Sequence, residues 1–121
     1  MANLTTVELK AFVPAKDFEI SKKFYEDLGF TIEWSNAGMA YIRHGDSKFL
    51  LQNYYVKELA ENLMMHLLVE DVDAWWQQAQ SSIAKYSVNG SAPEQQPWGI
   101  RDFTLHDPSG VLWRVGEVSA P

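Results

Sequence analysis

The chain has 121 residues, 46% of them hydrophobic and 21% charged, which is one domain's worth of material with enough apolar mass for a core. It contains no cysteine, so thiol nucleophiles, cysteine-ligated zinc, iron–sulfur clusters and disulfides are excluded, and a reducing cytoplasmic location is the expectation. Ten Lys and Arg against sixteen Asp and Glu give a formal charge of −6 with no basic run, which argues against nucleic acid; no stretch nears the ~20 apolar residues of a membrane span, and the first six residues lack the basic and apolar regions of a signal peptide.

Residues Thr5 to Val13 alternate as a strand, with Val7, Leu9, Ala11 and Val13 on one face and Glu8, Lys10 and Phe12 on the other; Pro14 ends it. Asp17 is placed to cap a helix through about Leu28, in which Ile20, Phe24, Tyr25 and Leu28 form an apolar stripe and Gly29 is the stop. Three strand-like runs follow, Phe30 to Trp34, Ala40 to Arg43 and Lys48 to Tyr54, separated by turn residues at 36–38 and 44–47. The same order then recurs. Leu63 to Val69 reads as a strand, Asp71 or Asp73 as a cap, and Val72, Trp75, Trp76, Ala79 and Ile83 as a helical stripe. A polar stretch with proline spans Ser87 to Pro97, with a short strand near Tyr86 to Val88; strands at Ile100 to Leu105 and Val111 to Val115 then flank the turn 106–110.

Laid on one another, the halves match. Ala15-Lys16-Asp17-Phe18 overlies Val69-Glu70-Asp71-Val72, and His44, Ser47 and Leu50 overlie His106, Ser109 and Leu112, so the surplus length of the second half falls in the polar stretch before Trp98. Neither half buries its helix stripe alone, which predicts one α+β domain over 1–121 built from two βαβββ modules at about 5–56 and 62–117.

Phe24-Tyr25-Glu26-Asp27-Leu28-Gly29-Phe30, followed at a distance by Pro97-Trp98-Gly99-Ile100-Arg101-Asp102-Phe103 and Asp107-Pro108-Ser109-Gly110-Val111-Leu112-Trp113, resembles the glyoxalase/bleomycin-resistance family, the vicinal oxygen chelate superfamily, from about Leu9 to Glu117. The resemblance implies two modules whose sheets curl around a cleft, usually completed by a homodimer. By strand parity Val7, Leu9, Ala11, Val13, Met65, Leu67 and Val69 pack on the helices, while Glu8, Lys10, Phe12, Leu50, Gln52, Met64, His66, Leu68, Leu112 and Arg114 line the cleft.

Metal-dependent relatives hold a divalent ion with His, Glu or Gln at four strand positions, which the resemblance places at Lys10, Gln52, Met64 and Arg114. Two cations, an amide and a thioether are a poor donor set, so no metal and no cofactor is expected; His66 and Glu117 are the displaced candidates that a metal-dependent lyase, isomerase or dioxygenase would need. His44 and His106 precede turns, where loop hydrogen bonding explains them. No phosphate loop or nucleophile elbow is present and no catalytic residue is assigned.

Sixteen aromatic residues remain to be placed. Phe24, Tyr25, Trp75, Trp76 and Trp113 follow packing periodicity, whereas Trp34, Tyr54, Tyr55 and Trp98 sit at strand ends or loops, where a large ring has less reason to be unless it covers something. Metal-free relatives sequester bleomycin-like drugs. The expectation is therefore a non-catalytic small-molecule binding protein whose ligand contacts are Lys10, Phe12, Trp34, Gln52, Tyr54, His66, Trp98, Arg114 and Glu117. A protein-interaction module with an aromatic rim is a further alternative.

Overall fold

In the computed structural model, which describes residues 2–119, the opening strand is far shorter than its alternation suggests: β1 covers only Phe12–Pro14. Residues 2–11 form no strand, and Val7 and Leu9 are 95% and 94% exposed instead of packing on a helix. The ladder with the neighbouring strand β4 (Ser47–Gln52) pairs Phe12 with Leu50 in parallel and stops there. Two residues further along that register Lys10 would stand beside Lys48, and like charges directly opposite destabilise a ladder. The chain leaves the sheet and is held by side chains.

Helix α1 (Phe18–Leu28) starts where Asp17 accepts a hydrogen bond from the Ile20 N–H at 3.2 Å, and it stops at Gly29, whose φ of 116° lies in the left-handed region that a side chain resists. Strands β2 (Thr31–Ser35), β3 (Met39–His44) and β4 follow as an antiparallel meander, giving the sheet order β1-β4-β3-β2. A short helix α2 (Lys57–Asn62), absent from the sequence reading, leads to β5 (Met64–Leu68). Helix α3 (Val72–Tyr86) takes Asp71 as its cap, through the Ala74 N–H at 3.1 Å.

The polar stretch after α3 is a strand and not a loop. β6 (Gly90–Gln95) pairs with β7 (Ile100–His106), with an irregularity between Ser91 and Glu94 that accommodates Pro93 on an edge strand. The short strand expected at Tyr86 to Val88 is instead the end of α3, with Ser87 as its left-handed cap. β8 (Leu112–Val118) completes the second sheet in the order β5-β8-β7-β6, the same topology as the first. The fold is thus α+β, two βαβββ modules with four-stranded mixed sheets that remain separate ladders. Among the described residues no helix is long and apolar enough to cross a membrane.

Helices α1 and α3 cover one face of the sheets. Phe24, Tyr25, Leu28, Phe49, Leu51, Phe103, Leu105, Trp113 and Val115 are buried there, and Tyr25 packs edge-on to Phe24, Phe30 and Phe49 at 5.0–6.0 Å. The halves are also tied by polar contacts: Asp27 at the end of α1 accepts from Lys85 Nζ at 2.7 Å and Tyr86 Oη at 2.6 Å at the end of α3.

Candidate functional site

The other face of each sheet carries no helix. Pairing register fixes which side chains emerge there, because residues directly opposite across a ladder share a face. In the first sheet Phe12, Leu50 and Tyr41 form one row, with Trp34 opposite Tyr41, Gln52 opposite Met39, and Lys48 opposite Arg43. In the second, His66, Arg114 and Thr104 form a row, flanked by Met64 beside Leu112 and by Leu68, Gly116 and Asp102. Phe12, Trp34, Met64 and Leu68 on this face are each about half exposed, at 48–55%, whereas their strand neighbours Val13, Leu67 and Trp113 are buried against the helices. A helix-free face with that much apolar area marks a surface built to be covered.

Its charges are neutralised locally. Glu8, on the segment before β1, pairs with Lys10 and with Lys48 at 3.1 Å and accepts from Tyr41 Oη at 3.1 and 3.2 Å, while Lys10 Nζ also lies 5.3 Å from the centre of the Tyr41 ring. Hydrogen bonds from Lys10, then from Lys48, hold the Glu8 carboxyl at about 2 against its ordinary 4.5. A depressed carboxyl stabilises the fold above its unfolded value and loses that contribution as pH falls through the folded one. The unfolding free energy of Glu8→Gln, followed in urea, should therefore have a shallower acid limb than the parent between about pH 4.5 and 2. Equal slopes would remove the bridge. Arg43 is similarly paired with Glu33.

On the second sheet Asp102 is 2% exposed and accepts from Arg114 at 3.1 Å and from Gln96 Nε2 at 3.0 Å. Trp98 stands over this pair on the turn between β6 and β7, its ring centre 6.0 Å from the Arg114 guanidinium, with the ring 59% exposed. Gly99 at φ 84° returns its N–H to the Gln96 carbonyl at 3.2 Å, which closes the turn that presents the indole.

The structure thus brings Lys10, Phe12, Trp34 and Gln52 to one sheet's open face and His66, Arg114 and Trp98 to the other's. Tyr54 lies in the loop after β4, exposed, its carbonyl accepting from the Ala15 N–H at 3.1 Å. Glu117 is not on this face. It pairs across the ladder with Arg101 on the helix side, and its carboxylate accepts from the Val72 N–H at 3.0 Å, serving the start of α3. Asp102, Tyr41 and Gln96 were missed; an acid directly before Phe103, inside a strand run, was the signal for Asp102.

At Lys10, Gln52, Met64 and Arg114, the positions that the resemblance sets for metal ligands, the side chains present do not fit an ion. Lys10 and Arg114 are cations already paired to carboxylates, Met64 offers a thioether, and only Gln52 has a suitable oxygen. Among the described residues no three His, Asp or Glu side chains gather in metal-binding positions, and the relocated pair fails because Glu117 and His66 emerge on opposite faces.

Known proteins share the sequence pattern and the fold. The model of the Glyoxalase/Bleomycin resistance protein/Dioxygenase superfamily matches residues 7–115. A bleomycin resistance protein of Klebsiella pneumoniae is 31% identical over 111 residues, covering 85% of this chain and 86% of the relative. Among solved structures, a bleomycin-binding protein complexed with bleomycin superposes with a TM-score of 0.79 at 30% identity, covering 93% of this chain and 98% of that one. A bleomycin resistance determinant encoded on the transposon Tn5 gives 0.79 at 27% identity, covering 95% and 100%.

Proposed function

The chain belongs to the glyoxalase/bleomycin resistance protein/dioxygenase superfamily, and from that membership we propose that it captures a bleomycin-type compound on the helix-free face of its sheets and holds it without chemistry, in the cytoplasm, as a homodimer. The observation that carries the reading is the pairing of exposed rings with self-neutralised charges on one face: Phe12, Trp34 and Trp98 stand out, while Glu8, Glu33 and Asp102 cancel the cations beside them. Such a surface stacks a planar group without repelling a cationic one. The named relatives support the choice of ligand. Micromolar capture needs about 8 kcal/mol net, which several ring contacts and the burial of their apolar area supply.

The dimer follows from what one chain leaves uncovered. A single open sheet face is a wall and not an enclosure, and binding sites bury most of a ligand's surface. A second copy facing the first turns two walls into a chamber, and residues 2–11, with Leu4, Val7 and Leu9 fully exposed, give each chain a segment long enough to reach across. Sedimentation at micromolar concentration is expected to give twice the chain mass, and bleomycin titration to quench tryptophan emission with one saturable phase. A monomer, or an unchanged spectrum at about 100 μM drug, overturns the reading. Metal chemistry is not favoured, since the donor set is absent at the relevant positions.

A further inference from the structure

We propose that Tyr41 and Glu8 form the subsite of the open face that takes the positively charged end of a captured molecule, and that the chain's own Lys10 fills it in the free protein as an internal competitor. The subsite rests on the capture reading for the identity of its ligand. Burial along residues 2–11 runs against apolarity: Val7 and Leu9 stand in solvent, whereas the side chains of Glu8 and Lys10 are each 22% exposed. A segment placed by the hydrophobic effect does the reverse. Its last main-chain tie to the sheet is the hydrogen bond from the Leu50 N–H to the Ala11 carbonyl at 3.0 Å, so charge holds residues 8–10 against the face.

What holds them is a cation place already complete. Lys10 Nζ lies 5.3 Å from the centre of the Tyr41 ring and pairs with Glu8, whose carboxylate also accepts from Tyr41 Oη at 3.1 and 3.2 Å and from Lys48 Nζ at 3.1 Å. A cation with an aromatic ring under it and a carboxylate beside it is how proteins hold alkylammonium ligands. Tyr41 is where such a ligand needs it: its ring centre is 6.2 Å from that of Trp34, and Leu50 and Phe12 continue its row, so a planar group stacked on Trp34 brings a cation on a short tail to Tyr41. The two lysines differ in freedom. Lys48 is fixed in β4 and keeps its bond to Glu8, while Lys10 lies before the start of β1 and swings out at the cost of two solvent-accessible contacts, each of them weak. Exchanging one cation for another leaves no carboxylate uncompensated. A neutral ligand leaves Lys10 in place and forgoes the ring.

Calorimetry on the full chain tests this with bleomycin A2, whose tail ends in a sulfonium cation, against demethylbleomycin A2, in which that sulfur is a neutral thioether. The ratio of the two dissociation constants, neutral over cationic, is expected to rise about three-fold in Lys10→Met, which removes the competitor, and to fall about three-fold in Glu8→Gln, which removes the carboxylate and leaves Lys48 unpaired. Neither residue lies in a strand, and a mere loosening of the segment would move both variants the same way. Nuclear magnetic resonance reads the exchange itself: the Lys10 ε-methylene protons, shielded by the Tyr41 ring, are expected to move downfield when bleomycin A2 binds and to stay in place with the neutral form. An unchanged ratio in Lys10→Met, a change of one sign in both variants, or Lys10 still shielded in the bleomycin A2 complex overturns the proposal. If neither form of the drug binds, the capture reading falls by itself and the subsite is decided by choline and its uncharged isostere 3,3-dimethylbutan-1-ol. Choline alone is expected to shift the Tyr41 ring signals, about three-fold more tightly in Lys10→Met; equal shifts from both, or none at Tyr41, overturn it.

Discussion

Replacing Asp107 by alanine is expected to lower the unfolding free energy by about 3–5 kcal/mol, seen in urea titration and as a fall in Tm of roughly 10–25 °C. Asp107 is 2% exposed and accepts four hydrogen bonds, three on its carboxylate, from Tyr25 Oη at 2.5 Å, the Ser109 N–H at 2.9 Å and the Val111 N–H at 3.0 Å, and one on its backbone carbonyl, from the Gly110 N–H at 3.0 Å. Alanine keeps only the last. Three buried donors lose their acceptor, and each costs about 1–3 kcal/mol when no water can reach it. Burial pushes the Asp107 carboxyl up and the Tyr25 phenol well above its ordinary value, a sign of how dry this node is. Asparagine is the informative contrast. It retains an acceptor for the turn but faces Tyr25 with an amide, and the phenol oxygen already accepts from Trp113 Nε1 at 2.9 Å, so the Tyr25 proton is stranded and the expected loss is about 1–2 kcal/mol. An alanine variant within 1 kcal/mol of the parent, on the scale of an exposed substitution, would show that the node is not structural.

The node also explains why the two motifs that carry the family resemblance stand so far apart in sequence. Tyr25 belongs to the first, Asp107 and Ser109 to the second, and Ser109 Oγ also accepts from the Lys16 N–H at 2.8 Å, so the motifs are two halves of one joint between the modules. They specify the fold and leave the ligand open.

Strand parity was legible wherever a ladder exists to give it meaning. Phe12 against Val13, and Met64, His66 and Leu68 against Leu67, fall on the faces their alternation assigns. Alternation does not reveal where a partner strand ends, which is why Val7 and Leu9 read as core and are solvent-exposed. Glu117 was chosen by its spacing from Arg114; its odd position on the same strand already sends it to the helix side. Strand β6 was illegible for a different reason: with Gly90, Pro93 and a mostly exposed burial pattern, an edge strand needs no hydrophobic period. The charge balance of the site was half legible. Glu8 shares a face with Lys10 two residues away, but Asp102 meets Arg114 only through the β7–β8 register.

Trp98→Ala is expected to weaken bleomycin binding by about 2–3 kcal/mol, a rise of roughly 30- to 150-fold in Kd, measured by calorimetry. The indole is held up by a closed turn, needs no rearrangement to stack, and already rests near the Arg114 guanidinium at 6.0 Å, so its entropy of ordering is small and most of its contact free energy reaches the ligand. Being 59% exposed in the free chain, it contributes little to folding, and the variant should keep its unfolding free energy within about 0.5 kcal/mol of the parent. Arg114→Met separates ring from charge. It leaves Trp98 in place but strips Asp102, 2% exposed, of its cation, so stability falls by about 2–4 kcal/mol while the freed carboxylate becomes available to a cationic ligand. Stacking as the dominant contact thus predicts opposite profiles, affinity lost at constant stability for Trp98→Ala and stability lost with affinity held or improved for Arg114→Met. If both variants instead lose affinity and stability in parallel, the open face is a folding element and the ligand is held elsewhere.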